Sequence, residues 1–173
     1  MRRYAPLPPA MLECLSYDAA TGEIRWKRGI GPKSRVTVGG LVYTQVKTPR
    51  SNKRPYRYIE FGGRGYFAHR VAWFLATGEQ PTGMIDHINQ NSLDNRICNL
   101  RQATDSQNAA NSAAKKKRDL PKGVHSRRPG RFTATITKDR VQRTIGTFDT
   151  PEEASAAYLE TAQRLFGEFA RAA

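Results

Sequence analysis

Apolar and polar positions along the chain follow two different periods, and the switches between them outline the elements. A short helix is predicted from Pro8-Pro9 through Leu15, because proline suits a first helical turn. Asp18-Ala19-Ala20-Thr21-Gly22 reads as a turn into a strand over Glu23–Lys27. At Leu41–Lys47 and Tyr56–Phe61, aromatic and β-branched residues alternate with polar ones, the period-two pattern of half-buried strands. Gly62-Gly63 ends the second of these and turns the chain toward Tyr66. His69–Ala76 reads as a buried helix closed by Gly78.

Further along, a short strand around Met84–Ile88 leads into an Asn-rich loop, followed by Leu100–Ala103. Thr104 stands three residues before Gln107, the capping-box spacing, so a helix should start at about Asp105. Lys115-Lys116-Lys117-Arg118 would then complement its C-terminal dipole. Ser112–Pro121 is small and basic and reads as a linker. Arg131–Ile136 and Gln142–Ile145 look like hairpin strands joined through Lys138-Asp139-Arg140. Thr150, Pro151 and Glu153 mark a helix start, and Ala154, Ala157, Tyr158, Ala162, Leu165 and Phe166 follow at helical spacing. The class is α+β: a β-rich region over 1–66, a strand–loop–strand–helix core over 67–112, a linker over 113–121, and a sheet-plus-helix domain over 122–173.

Charge adds a partner to this outline. The 173 residues carry 29 Lys and Arg against 15 Asp and Glu, a formal net charge of +14. Residues 1–60 hold 12 basic and 4 acidic side chains, 61–112 hold 4 of each, and 113–145 hold 11 against 2. Residues 146–173 reverse the sign, with 2 basic and 5 acidic. A neutral middle between basic flanks points to a polyanion gripped on both sides. The longest apolar run, Val71–Ala76, has six residues against the roughly 20 that span a bilayer, so no membrane partner is expected. Met1-Arg2-Arg3-Tyr4-Ala5-Pro6 lacks the apolar stretch of a signal peptide. Cys14 and Cys98 lie 84 positions apart without Cys-x-x-Cys spacing, which argues against a zinc site and a disulfide framework and for a reducing cytoplasm.

The chemistry concentrates in the middle. Asp86 and His87 are adjacent; Asn99 follows His87 by twelve residues and Asn108 follows Asn99 by nine. A carboxylate and an amide oxygen are hard ligands suited to Mg²⁺, and a neutral imidazole can take a proton from water. Asn and Asp clusters are also ordinary turn chemistry, so the residues alone leave both readings open.

Ile85-Asp86-His87-Ile88-Asn89, Leu93 to Arg101 and Thr104 to Asn108 resemble the HNH endonucleases of phages and their intron-encoded homing relatives, and Ala68-His69-Arg70-Val71-Ala72-Trp73 extends the likeness. The resemblance implies a ββα-metal core. In it Asp86 and Asn108 hold a divalent metal, most simply Mg²⁺. His87 is the general base, and Asn99 polarises and orients it. His69 suits a satisfied core histidine and is also a candidate to touch the site. No small-molecule cofactor is implied, and a monomer is the simpler expectation.

Lys122 to Arg127, Arg131-Phe132, Ile145 to Phe148, Glu152-Glu153-Ala154 and Ala157-Tyr158 resemble the AP2/ERF DNA-binding domain, a three-stranded sheet backed by a helix. Such a domain would bind double-stranded DNA, here through Lys122, His125, Arg127, Arg131, Lys138 and Arg143. Arg25, Lys27, Arg28, Lys33, Arg35, Lys47, Arg50, Lys53, Arg54 and Arg57 would widen the footprint. Two rivals stand beside the nuclease: a DNA-binding regulator with a degenerate core, and an RNA-binding protein that stacks bases on exposed Tyr56, Tyr58 and Phe61.

Overall fold

A computed structural model of the chain describes residues 5–29, 35–48, 54–112 and 120–171. The footprint residues Lys33, Arg50 and Lys53, and the basic run Lys115–Arg118, lie outside the described residues. The fold divides into two compact units between Gln102 and Ala103.

The first unit begins with α1 (Ala10–Cys14), whose exit leads directly into β1 (Leu15–Tyr17). Asp18 Oδ1 accepts from Ala20 N at 2.8 Å and Gly22 takes a left-handed φ of 74°, which returns the chain as β2 (Ile24–Trp26) antiparallel to β1. A three-stranded sheet follows, formed by β3 (Tyr43–Lys47), β4 (Tyr56–Phe61) and β5 (Arg64–Phe67), with β4 in the middle. Gly62 and Gly63, both at positive φ, make the β4–β5 turn.

Next comes α2 (Ala68–Thr77), ended by Gly78 in the left-handed region with its N–H on Phe74 O. The helix buries Val71, Ala72 and Phe74 among Met11, Leu15, Ile24, Ile59 and Phe61. Each fully buried Ile, Leu or Phe stabilises by about 1.5–3 kcal/mol. Arg70 is buried too, and its guanidinium donates to Gly83 O at 2.8 Å and Pro81 O at 3.1 Å. That pair of bonds fixes the segment entering β6 (Met84–His87), which pairs with β7 (Leu100–Ala103) in a two-stranded sheet.

Phe61, expected on an exposed base-stacking face, is 4% exposed and stacks on Trp26 at 6.1 Å between centroids. Its place next to the Gly62 turn puts it under the helix side of the sheet, so the stacking platform loses that ring.

The second unit holds α3 (Asp105–Asn111), a three-stranded sheet of β8 (Val124–Arg128), β9 (Arg131–Lys138) and β10 (Val141–Phe148), and α4 (Pro151–Phe166). Thr104 and Gln107 form the reciprocal capping box that starts α3. Thr150 accepts from Glu153 N to start α4, with Pro151 in the first turn. Asp139 and Arg140, both at positive φ, make the tight β9–β10 turn, and Asp139 exchanges bonds with the Ser106 hydroxyl. The core gathers Val124, Ala134, Ile136, Ala154, Tyr158, Phe166 and Phe169, and Ala103 and Ala110 belong to it. Helix α3, which the sequence reading placed in the 67–112 core, therefore shares a core with α4.

Candidate functional site

Asp86 and His87 end β6, and both are 6% exposed. Successive strand side chains point to opposite faces, and the two engage different neighbours. Asp86 Oδ2 accepts from Arg101 Nε of β7 at 3.2 Å, and Arg101 is itself buried. A buried carboxylate needs a compensating charge, and Arg101 supplies it.

The His87 ring lies among aromatic groups. Its centroid is 5.1 Å from that of His69, with the planes at 71°, and 6.2 Å from Tyr56. His69 also packs on Phe67 and Tyr56. Burial holds His69 well below the ordinary histidine pKa, with the His87 and Arg70 charges acting the same way. Burial lowers the His87 pKa as well, against the opposing pull of a bond to Asn95 and of the Asp86 and Asp94 charges. Arg54 acts in the lowering sense. It is held beside the site by a bond to Gln90 Oε1 at 3.2 Å, next to Pro55, whose carbonyl accepts from Ser92 Oγ.

His87 Nε2 faces Asn95 Oδ1 at 3.2 Å in a buried contact. The expectation that Asn99 orients His87 gives way here. Asn99 spends its amide on the loop backbone: Oδ1 accepts from Asn89 N at 2.9 Å and Nδ2 donates to Asp94 O at 2.9 Å. Asn89, Asn91 and Asp94 do the turn work expected of them. Asn91 N and Leu93 N donate to the side chains of Asn89 and Asn91. Asp94 takes a two-point bond from Arg96, at 2.8 and 2.6 Å, that holds its carboxyl down at about 2. Nothing in the local spacing of Asn95 distinguishes it from Asn91 or Asn99.

Asn108 sits in the second unit, half-buried in the middle of α3, where its N–H closes the first turn on Thr104 O. Among the described residues no group of three or more His, Cys, Asp or Glu side chains is placed to hold a metal ion. Taken singly, the carboxylate of Asp86 and the amide oxygen of Asn108 are donors of the type that suits a hard ion such as Mg²⁺.

The register of the second sheet sorts the expected DNA contacts. Residues directly opposite across a strand pair share a face. Ala134 and Ile136 are buried under α4, so Arg131, Thr133, Thr135 and Thr137 face away from it. His125 opposes Thr133 and Arg128 opposes Arg131, which puts both on this open face. His125 Nε2 lies 3.1 Å from Thr135 Oγ1. Arg131 pairs with Asp149. Arg143 opposes Ile136, and Lys138 alternates with it, so both belong to the α4 side. Lys122 is withdrawn from any surface role: its ammonium donates to Ala110 O and to Ser112 O, capping α3, and burial brings its pKa down to about 8. The side chain of Arg127 lies outside the described residues. Charge clustering in sequence overstated the sheet's basic face because it ignores side.

Residues 66–110, from β5 through most of α3, match the HNH endonuclease family. A protein of Acanthamoeba polyphaga mimivirus, described as an uncharacterized HNH endonuclease, is 35% identical over 104 residues, which cover 59% of this chain. The chain spans about half, 54%, of that relative's length. No solved structure matches. The matched segment includes Asp86, His87, Asn95, Asn99 and Asn108 and ends before the second unit's sheet.

Proposed function

We propose that this chain is a metal-dependent HNH DNA endonuclease, of the homing type, that uses its C-terminal sheet as an AP2-like DNA-binding tail. The observation that carries the reading is His87: a buried imidazole whose pKa is lowered by burial, with Asn95 Oδ1 on its Nε2, inside a segment that matches HNH endonucleases. His87 takes a proton from a water whose oxygen attacks the phosphorus in line; the P–O3′ bond breaks and the 3′ oxygen leaves with a proton from solvent, giving a 5′-phosphate and a 3′-hydroxyl. Asp86 and, by the motif spacing, Asn108 would hold the divalent ion. Such an ion would supply charge stabilisation at the phosphate and the departing oxygen. Arg54, whose charge is felt at His87, would supply a cation for the phosphate. Among the described residues no helix is long and apolar enough to cross a membrane, and the proposed substrate is double-stranded DNA.

One observation favours a second reading, a DNA-binding regulator with a degenerate core: the Asp86 carboxylate is engaged by Arg101. Plasmid nicking with and without Mg²⁺ separates the two. Nicking that needs Mg²⁺ and falls about 10²–10⁴-fold in His87→Ala, with DNA affinity within about threefold, supports the nuclease. Undiminished turnover in that variant removes His87 from the mechanism, and no nicking by the wild type under any divalent ion favours the regulator.

A further inference from the structure

We infer that Asn95 is the positioning residue for His87, selecting the ring tautomer in which Nε2 carries the proton and Nδ1 is basic, and that the N-terminal β1–β2 hairpin holds Asn95 in place. The inference rests on the nuclease reading only for the purpose the tautomer serves.

The first support is the direction of the bond. Asn95 is 2% exposed, and its Oδ1 lies 3.2 Å from His87 Nε2. An amide can be turned over, which would present Nδ2 to the ring and reverse the tautomer. The surroundings favour the orientation seen. Tyr43 donates its hydroxyl proton to Gly22 O at 2.8 Å and accepts from Ile24 N at 3.1 Å. Asn95 acts on Tyr43 in the sense that lowers its pKa, which suits an NH₂ end turned toward a hydroxyl whose proton is committed to Gly22 O. Turning the amide would set oxygen against oxygen there. Nδ2 makes no hydrogen bond of normal geometry. The contact to His87 is therefore the one good side-chain bond this buried amide makes.

The second support is the clamp on its backbone. Tyr17 of β1 donates to Asn95 O at 3.0 Å, and burial pushes the Tyr17 hydroxyl up to about 12, so it stays a donor. Gly22, in the turn after β1, comes so close that a Cβ would lie 2.7 Å from Asn95 C and 2.6 Å from Arg96 N. Its φ of 74° also needs glycine. Two points of the hairpin thus bear on one peptide of the distant loop. Asn99, by contrast, braces that loop's backbone and does not set the ring.

The chain has three histidines, His69, His87 and His125, so ¹⁵N–¹H correlation of the ring nitrogens resolves each in the metal-free full chain at pH 8. The expected wild-type result is Nε2–H for His87. Asn95→Leu should lose that preference and lower kcat about 10–100-fold with KM unchanged. Asn95→Asp, which keeps an acceptor, should retain Nε2–H. Gly22→Ala should shift the ring signals in the same sense as Asn95→Leu. A wild-type Nδ1–H ring, or an Asn95→Leu ring still Nε2–H, overturns the inference. The wild-type measurement needs no variant to fold. Failure of the wild type to nick DNA would overturn the nuclease reading, while the tautomer result would still decide the role of Asn95.

Discussion

Two double variants of equal charge separate a DNA-binding face from mere basicity. Arg128→Ala/Arg131→Ala and Lys138→Ala/Arg143→Ala each remove two positive charges from the second unit. Bulk electrostatics predicts the same weakening for both. The sheet register predicts a difference, because Arg128 and Arg131 stand opposite each other on the open face while Arg143 opposes the buried Ile136 on the α4 side. The Arg131–Asp149 pair is exposed at both partners and is weak enough for a phosphate to displace. Each phosphate contact contributes about 0.9 to the slope of log affinity against log salt, so loss of the first pair should lower the slope by about 1.8. Between 50 and 200 mM salt, that narrows the gap in affinity between wild type and variant by about 12-fold. The second pair should leave the slope within about 0.3 of wild type. Fluorescence anisotropy on a labelled duplex over a salt series reads both. Equal slopes for the two variants would refute the assignment of the open face.

Three further outcomes follow from packing and burial. Gly123→Ala puts a Cβ 2.2 Å from Tyr158 Cδ2 at a φ of 76°, which should destabilise the second unit by about 2–5 kcal/mol; a thermal unfolding transition left in place would contradict the contact. Arg101→Met strands the buried Asp86 carboxylate and should cost about 3–5 kcal/mol, whereas Asp86→Leu/Arg101→Met should recover much of that loss in urea titrations. The pKa of His69 is held well below 6.5 in the fold, so below pH 6.5 the unfolded chain binds more protons. Stability is then fully present above pH 6.5 and falls as the pH drops, by up to about 1.4 kcal/mol per unit from this group. His69→Phe should flatten the urea midpoint between pH 7.5 and 5, and an unchanged slope would remove His69 as its source.

Much of the architecture is legible in local patterns because its causes are local. The capping pair Thr104 and Gln107, the start at Thr150 and Glu153, and the stop at Gly78 act within a helical turn. Period-two alternation marks β3 and β4 in the same way, and the separated blocks around Asp86-His87, Leu93 to Arg101 and Thr104 to Asn108 carry the resemblance over the segment that matches HNH endonucleases. Each of these features survives any arrangement of the rest of the chain.

Partnership and sidedness were not legible, because they depend on residues far apart in the chain. Asn91, Asn95 and Asn99 are equivalent amides in one polar loop; only the approach of Gly22 and the hydroxyls of Tyr17 and Tyr43 bring Asn95 against His87. Phe61 looked like an exposed aromatic until Trp26, 35 positions earlier, covered it. Lys122 counted as a surface cation until it was drawn onto the carbonyls that end α3. Arg143 and Arg131 look alike in a charge count, yet strand register sends them to opposite faces. A side chain's charge and polarity belong to the residue. Its partner is set by which backbone segments are packed within a few ångströms of it, and those segments are chosen by the folded chain as a whole.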